Sequence, residues 1–422
     1  MKAININQLD LFGAVESAYA NNGGVLSQKE LYRAVVQNTG VNPNDYVETV
    51  GKQKNVNLFY RKIRWVQQSL KQSKLLERIE DGVWQLIGKA KEQLHQVAAN
   101  KSILAMSTDL GIIICSKSEN VFDEGMIEGE VDLVLTSPPY VLNKARAYGG
   151  VDSKEWVSFI MGIINRIIPR LSDGASIALN IGQDSFIQGM PARHTHIERL
   201  TIAMEDAGLY LVDRLIWGSN KAPGPYAWVS LNRQQLNVGY EFVLWFSNNP
   251  LKLRSSNQRV LTPFSESHKK FVKSGGSRSA GVSSDGAYRK SVGDYSKTDI
   301  ENGGRIPTNY LYFANKCKYN EQVNRYAKER LHCPTHGAKF PLALINFLVN
   351  FLSRPGDTVL DPFAGTSTVG QSCQMLGRNF IMIEPILEYV QQSFIRFSSL
   401  TKDFWINPAL ITPDEHTFLM AA

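Results

Sequence analysis

The sequence predicts an α/β protein, a wound Rossmann-like sheet preceded by a small winged-helix-like unit. Three observations carry this. From residue 103 onward, short apolar runs alternate with amphipathic helical stretches, as a parallel sheet with crossover helices requires. A small-residue turn, Asp361-Pro362-Phe363-Ala364-Gly365, stands between one such run and a helix. The first 90 residues show instead three helical stretches closed by a hairpin signal. With 43% hydrophobic and 20% charged residues the chain can build a packed core, and 422 residues exceed one ordinary domain. We expect units at 1–95, 96–250, 251–320 and 321–422, the second and fourth forming one core.

In the first unit a helix from Leu9 stops at Asn21-Asn22-Gly23-Gly24, and Ser27 with Glu30 forms a capping box that opens the next. A third helix starts near Asn57, where Phe59, Ile63, Val66 and Leu70 make an apolar stripe that leaves Arg61, Lys62, Arg64 and Lys71 mostly to one side. Glu80-Asp81-Gly82 turns between strands at 75–79 and 83–87. In the core, apolar runs predict strands at 131–136, 175–181, 210–217 and 240–246, with a helix over 153–171. Residues 273–295, rich in glycine and serine, read as a mobile loop. A helix through Phe351, a strand at 358–360, a helix from Thr366, a strand at 379–383 and a last helix from Leu387 complete the sheet.

Charge points to an anionic partner. Residues 251–320 carry 13 Lys and Arg against 5 Asp and Glu, a local excess larger than the +7 of the whole chain. Between Gly51 and Lys74 lie seven basic residues and no acidic one. One such cluster is as well explained by a solvated face; two flanking a catalytic core favour nucleic acid. No signal peptide opens the chain and nowhere do 18 apolar residues run uninterrupted, so a soluble intracellular protein without a membrane partner is expected. Cys115, Cys317, Cys333 and Cys373 form no C-x-x-C pair, and Cys317, His332, Cys333 and His336 match no common zinc spacing, so neither disulfides nor a metal are expected. His194 and His196 read as surface residues.

Two motifs carry chemistry. Asp361 to Gly370 joins a strand to a helix, where small residues let the backbone approach a ligand and the helix N-terminus offers free N–H groups. Nineteen residues past Gly365, Glu384 ends the next strand, a place suited to ribose hydroxyls. With neither Gly-Lys-Ser/Thr nor G-x-G-x-x-G, an adenosine ligand without phosphates fits better than a nucleotide. The second motif, Thr136-Ser137-Pro138-Pro139-Tyr140, ends a buried strand. Its prolines fix the backbone and carry no N–H, which leaves the Pro138 carbonyl as an acceptor beside a hydroxyl and an aromatic ring. Acceptors on the N–H groups of an exocyclic amine localise its lone pair, and a tyrosine ring stacks on a base taken out of a duplex.

These residues resemble the amino-methyltransferases of DNA in the beta arrangement, with the catalytic motif first and the cofactor motif near the C-terminus. The resemblance covers roughly residues 103–400 and includes His336-Gly337-Ala338-Lys339-Phe340-Pro341 and Leu179-Asn180-Ile181-Gly182. It implies a Rossmann-like S-adenosylmethionine-dependent methyltransferase core in which Ser137, Pro138, Pro139 and Tyr140 are catalytic. S-adenosyl-L-methionine is then held by Thr136, Lys339, Phe340, Pro341, Asp361, Pro362, Phe363, Ala364, Gly365, Thr366, Ser367, Glu384 and Pro385. It also implies double-stranded DNA as substrate, target recognition by residues 251–320, a separately acting restriction endonuclease as companion, and a cytoplasmic protein that is prokaryotic or phage-encoded. One departure stands out: many relatives end an earlier strand in Gly-Asp to meet the adenine, whereas residues 112–118 here contain no Asp.

A serine opening the catalytic motif resembles the N4-cytosine enzymes; N6-adenine methylation, where Asp is usual, is the alternative. RNA guanine and protein glutamine methyltransferases usually place the cofactor motif first. A DNA-binding regulator without turnover would show a damaged motif, and both motifs are intact.

Overall fold

A computed structural model describes residues 14–15, 17–19, 22, 24–50, 53–72, 76–86, 102–140, 155–183, 185–187, 189–220, 227–274 and 303–421. The chain divides into two compact units, residues 1–94 with 332–334, and residues 95–331 with 335–422.

In the first unit, residues 14–15 and 17–19 are helical; the expected start of that helix at Leu9 lies outside the described residues. Strand β1 (Val25–Ser27) leads into α1 (Gln28–Thr39), which opens on the expected capping box, Ser27 with Glu30, and ends at Gly40 in the left-handed conformation. A hairpin of β2 (Val47–Val50) and β3 (Gln53–Asn57), absent from the sequence reading, precedes α2 (Leu58–Gln72). Strands β4 (Leu76–Glu80) and β5 (Val83–Leu86) form the expected wing, and β1 joins them in the order β1-β5-β4. Leu31, Val35, Phe59, Ile63, Val66 and Trp84 share one core, so the i, i+4, i+7 stripe of α2 is its buried face. Arg61, Lys62, Arg64 and Lys71 lie exposed on the same helix.

The second unit is built on a ten-stranded sheet. Its strands are β6 (Ile103–Thr108), β7 (Gly111–Cys115), β8 (Val131–Thr136), β9 (Leu171–Gly182), β10 (Tyr210–Gly218), β11 (Tyr240–Ser247), β12 (Tyr310–Tyr312), β13 (Thr358–Asp361), β14 (Asn379–Glu384) and β15 (Phe404–Ile406). They lie in the order β12-β10-β11-β9-β8-β13-β14-β7-β6-β15. The central β9, β8, β13, β14 and β7 are parallel, as the alternation of strands and helices predicts. Antiparallel pairs extend both flanks: β11 on β9 and β10 on β11 at one side, β6 on β7 and β15 on β6 at the other. Short connections cannot make a parallel crossover, which is why β6 and β7, two residues apart, pair antiparallel.

Helices cover both faces, and a short helix, α3 (Ser118–Asp123), follows β7. Trp156, Ile160 and Ile164 of α4 (Trp156–Ile167) and Leu200 of α5 (His196–Asp206) pack with Val134, Ile177 and Leu360 on one. Leu344 and Leu348 of α8 (Leu342–Leu352) and Val369 and Cys373 of α9 (Thr368–Leu376) pack with Leu133, Leu135 and Met382 on the other. Among the described residues, two further helices, α6 (Glu266–Lys273) and α7 (Lys318–Glu329), stand between β11 and α8 in sequence, and α10 (Leu387–Ser393), α11 (Ile395–Ser398) and α12 (Pro413–Ala421) follow β14.

Several boundaries differ from expectation. The helix predicted over 153–171 ends at Ile167, because Pro169 forces a tighter turn and the chain then enters β9 at Leu171. The helix predicted from Thr366 starts at Thr368, since Gly365 and Ser367 both take positive φ, 52° and 55°. The chain does not finish with the helix from Leu387 but returns through β15 to pair with β6. His196, read as a surface residue, is buried with its ring edge-on to Trp156 at 5.0 Å. Nearly all of the loop read over 273–295 lies outside the described residues.

Candidate active site

Both motifs emerge at the C-terminal ends of neighbouring parallel strands, where an open α/β sheet leaves a crevice. Thr136 ends β8 fully buried, and its hydroxyl donates to Asp361 Oδ1 at 2.6 Å. The same oxygen accepts the Phe363 N–H at 3.1 Å. Burial pushes the Asp361 carboxyl up to about 7 despite these two donors.

The glycine turn is braced from two sides. Glu384, at the end of β14, accepts the Gly365 N–H on Oε2 at 2.8 Å and the Ile386 N–H on Oε1 at 3.0 Å, while burial pushes its carboxyl up to about 7. Behind the turn, the buried Arg396 donates to Thr366 O, Thr366 Oγ1, Gln371 Oε1 and Asn320 Oδ1. Gly365 takes φ 52°, in the left-handed region that favours glycine, and an added Cβ would stand in ordinary contact with His336 Nε2 at 3.4 Å. Ser367 holds a left-handed conformation without being glycine, at a cost of about 1 kcal/mol.

A pocket of about 830 Å³, its open mouth included, lies between the two motifs. Of the residues singled out in the sequence, Ser137, Pro138, Pro139, Tyr140, Lys339, Phe340, Asp361, Phe363, Ala364, Gly365, Thr366, Glu384 and Pro385 line it. Thr136, Pro341, Pro362 and Ser367 are outside that lining: Thr136 holds Asp361, the Pro362 carbonyl accepts from Ser118 Oγ, and Pro341 and Ser367 cap α8 and α9. His336, Ile386 and Tyr389 are pocket residues that the sequence reading left unassigned. The His336 and Tyr389 rings meet edge-on at 4.6 Å. An H-x-A-x-F-P motif does begin at His336, so a signal for it existed; Tyr389 on α10 had none. Lys339 Nζ donates to Asn324 Oδ1 and His336 O, both at 2.6 Å, and burial lowers its ammonium to about 8.

The Ser-Pro-Pro-Tyr turn is pinned separately. Trp156 Nε1 donates to the Pro139 carbonyl at 2.6 Å, and the Trp156 ring is itself fully buried. The Tyr140 ring lies so close to Gly182 that a Cβ there would approach Tyr140 Cε2 to 3.0 Å. Burial, reinforced by the nearby Glu241 carboxylate, raises the Tyr140 phenol well above its usual range.

These residues fit an adenosine joined to an amino acid. Glu384 ends a strand beside the glycine turn, Ile386 and Tyr389 offer apolar and aromatic surface, and Lys339 supplies a cation, all around one pocket.

Comparison with known proteins points the same way. The family described as DNA methylase (N6_N4_Mtase) matches residues 131–394, and the Mrr N-terminal domain matches residues 15–96. The Type II methyltransferase M.PvuII of Proteus hauseri is 29% identical over 281 residues, 65% of this chain and 80% of the relative. M.ScaI of Streptomyces caespitosus, also a Type II methyltransferase, is 24% identical over 260 residues, 61% of this chain and 72% of the relative. Among solved structures, the cytosine-N4-specific PvuII DNA methyltransferase shares the fold with a TM-score of 0.54 at 24% identity, covering 75% of this chain and 93% of that one.

Proposed function

We infer the reaction from one premise: the chain belongs to the DNA methylase family. It methylates DNA with S-adenosylmethionine as donor. The finer reading is that the methyl group goes to N4 of a cytosine turned out of duplex DNA. The observation that carries this reading is the Ser137 hydroxyl at the pocket wall, on a turn whose two prolines supply carbonyls and no N–H.

S-adenosylmethionine supplies a methyl group on a positively charged sulfur, already activated for transfer. The chain's part is to hold and aim. Glu384 meets the ribose hydroxyls, Lys339 the carboxylate of the methionine part, and Ile386 and Tyr389 the adenine in place of the absent Gly-Asp. On the other side, the Pro138 carbonyl and Ser137 Oγ accept the two N–H groups of the amine, which localises its lone pair towards the methyl group. The Tyr140 ring bears on the extrahelical base. The amine nitrogen would take the methyl group as its bond to sulfur breaks, leaving a neutral thioether, and the surplus amine proton would leave to solvent; no covalent intermediate on the enzyme is needed, and positioning supplies most of the rate. Residues 251–320 read the target sequence, and a restriction endonuclease of the same specificity acts separately.

Nucleoside mass spectrometry of DNA from cells expressing the chain tests this. N4-methylcytosine is the expected product. N6-methyladenine would refute the cytosine assignment and keep the geometry, whereas 5-methylcytosine would overturn the reading of the Ser-Pro-Pro-Tyr turn.

A further inference from the structure

Glu241 lies outside every motif read from the sequence, and the antiparallel β11 carries it to the catalytic turn. In the register of β11 on β9 it stands opposite Gly182, the residue whose missing side chain leaves room for the Tyr140 ring. Its Oε2 accepts the Tyr140 hydroxyl at 2.9 Å and Asn180 Nδ2 at 2.7 Å. Asn180 Nδ2 also donates to the Tyr140 oxygen at 2.8 Å, and Asn180 itself is buried at 1% exposure. Ser137 Oγ stands 3.1 Å from the Tyr140 hydroxyl and 3.4 Å from the Asn180 carbonyl.

The direction of each proton follows from the chemistry of the groups. An ionised carboxylate only accepts, so the Tyr140 proton points to Glu241. The amide of Asn180 donates to the same oxygen. Tyr140 is left as an acceptor towards Ser137, and the Asn180 carbonyl is an acceptor in any case. Both internal partners of Ser137 therefore take its proton, and its lone pairs are what it presents to the pocket.

Resting on the amino-methylation reading above, we propose that Glu241 is a positioning residue that sets the polarity of this hydroxyl chain, so that Ser137 accepts an N–H from the substrate amine. Replacing the carboxylate by an apolar side chain removes the acceptor of the Tyr140 proton, which then turns to Ser137. Ser137 would offer its own proton to an amine that needs an acceptor.

The test is single-turnover methylation by Glu241→Leu and Glu241→Asp, scored on whichever amino base the wild-type chain modifies. Glu241→Leu is expected to slow transfer about 100-fold, within the range for a misdirected proton-handling group, with S-adenosylmethionine and DNA affinities within about 3-fold of wild type. Glu241→Asp keeps a carboxylate acceptor and is expected to be faster than Glu241→Leu. A purely structural side chain predicts the reverse order, because leucine is closer in size. Wild-type rate in Glu241→Leu, or an aspartate variant no faster than the leucine one, overturns the proposal. If either variant fails to bind S-adenosylmethionine, Tyr140→Phe decides: it breaks the chain at the hydroxyl, so slowed transfer supports the proposal and wild-type rate overturns it. A wild-type chain that methylates no amino group would refute the proposed function, a result read before any variant is made.

Discussion

The hydroxyl of Thr136 donates to Asp361 across 2.6 Å, and that bond ties together two motifs 225 residues apart. Thr136 is the last residue before the Ser-Pro-Pro-Tyr turn, and Asp361 the last residue of β13 before the glycine turn. Because β8 and β13 are parallel neighbours, both motifs leave the sheet at the same end and share one pocket.

Asp361 and Glu384 make the stability of the ligand-free chain depend on pH. Burial raises both carboxyls from their ordinary 3.8 and 4.5 to about 7. The folded chain thus keeps protons that the unfolded chain releases. Their contribution is complete below the ordinary values and is lost as pH rises through about 7. Glu384→Gln removes one of these titrations. In thermal melts its melting temperature should gain on wild type as pH rises from about 4.5 to about 7; a constant difference across that window would mean that Glu384 does not titrate there.

Trp156→Phe keeps most of a buried ring and loses the indole N–H that holds the Pro139 carbonyl. A stability loss of about 1 kcal/mol is expected from the lost bond and ring volume. The single-turnover rate should fall while S-adenosylmethionine affinity by calorimetry stays unchanged, because the lost bond is to the Ser-Pro-Pro-Tyr turn. An unchanged rate would show that the turn holds its shape without this bond.

Arg61 and Arg64 stand exposed on α2, beside a packed face. As contacts to DNA phosphates they add affinity without reading sequence. Removing both in Arg61→Ala/Arg64→Ala should lower the slope of log affinity against log salt by about 2, without changing the methylated sequence. If the slope does not move, the basic face of α2 is only solvated.

Much of the catalytic unit is legible along the chain because its signals are local. An apolar run bounded by Thr136 and two prolines declares where a strand ends, and Asp361 to Gly365 followed by a helix declares a ligand turn. The capping box of Ser27 and Glu30 and the apolar stripe of α2 are equally short-range, spanning one to four helical turns. What escaped is what depends on partners distant in sequence. Val25–Ser27 is too short to announce a strand and becomes one because β5 offers it an edge. Phe404–Ile406 becomes a strand through β6, almost 300 residues earlier. His194 and His196 look alike in sequence, yet His196, the first residue of α5, is buried with Trp156 packed against its ring.

The sequence by itself determined the reaction class, the order of the two motifs and most of the groups at the pocket, since each resides in a contiguous stretch whose chemistry is intrinsic to its residues. Only the tertiary structure decided which further groups act with them. Glu241 reaches Tyr140 because β11 runs antiparallel beside β9, and Arg396 reaches Thr366 because α11 packs behind the glycine turn. Neither residue carries a local signal: a carboxylate in a strand or an arginine in a short helix is most often solvated. What gives each its role is the low-dielectric contact that folding creates, and no spacing along the chain encodes it.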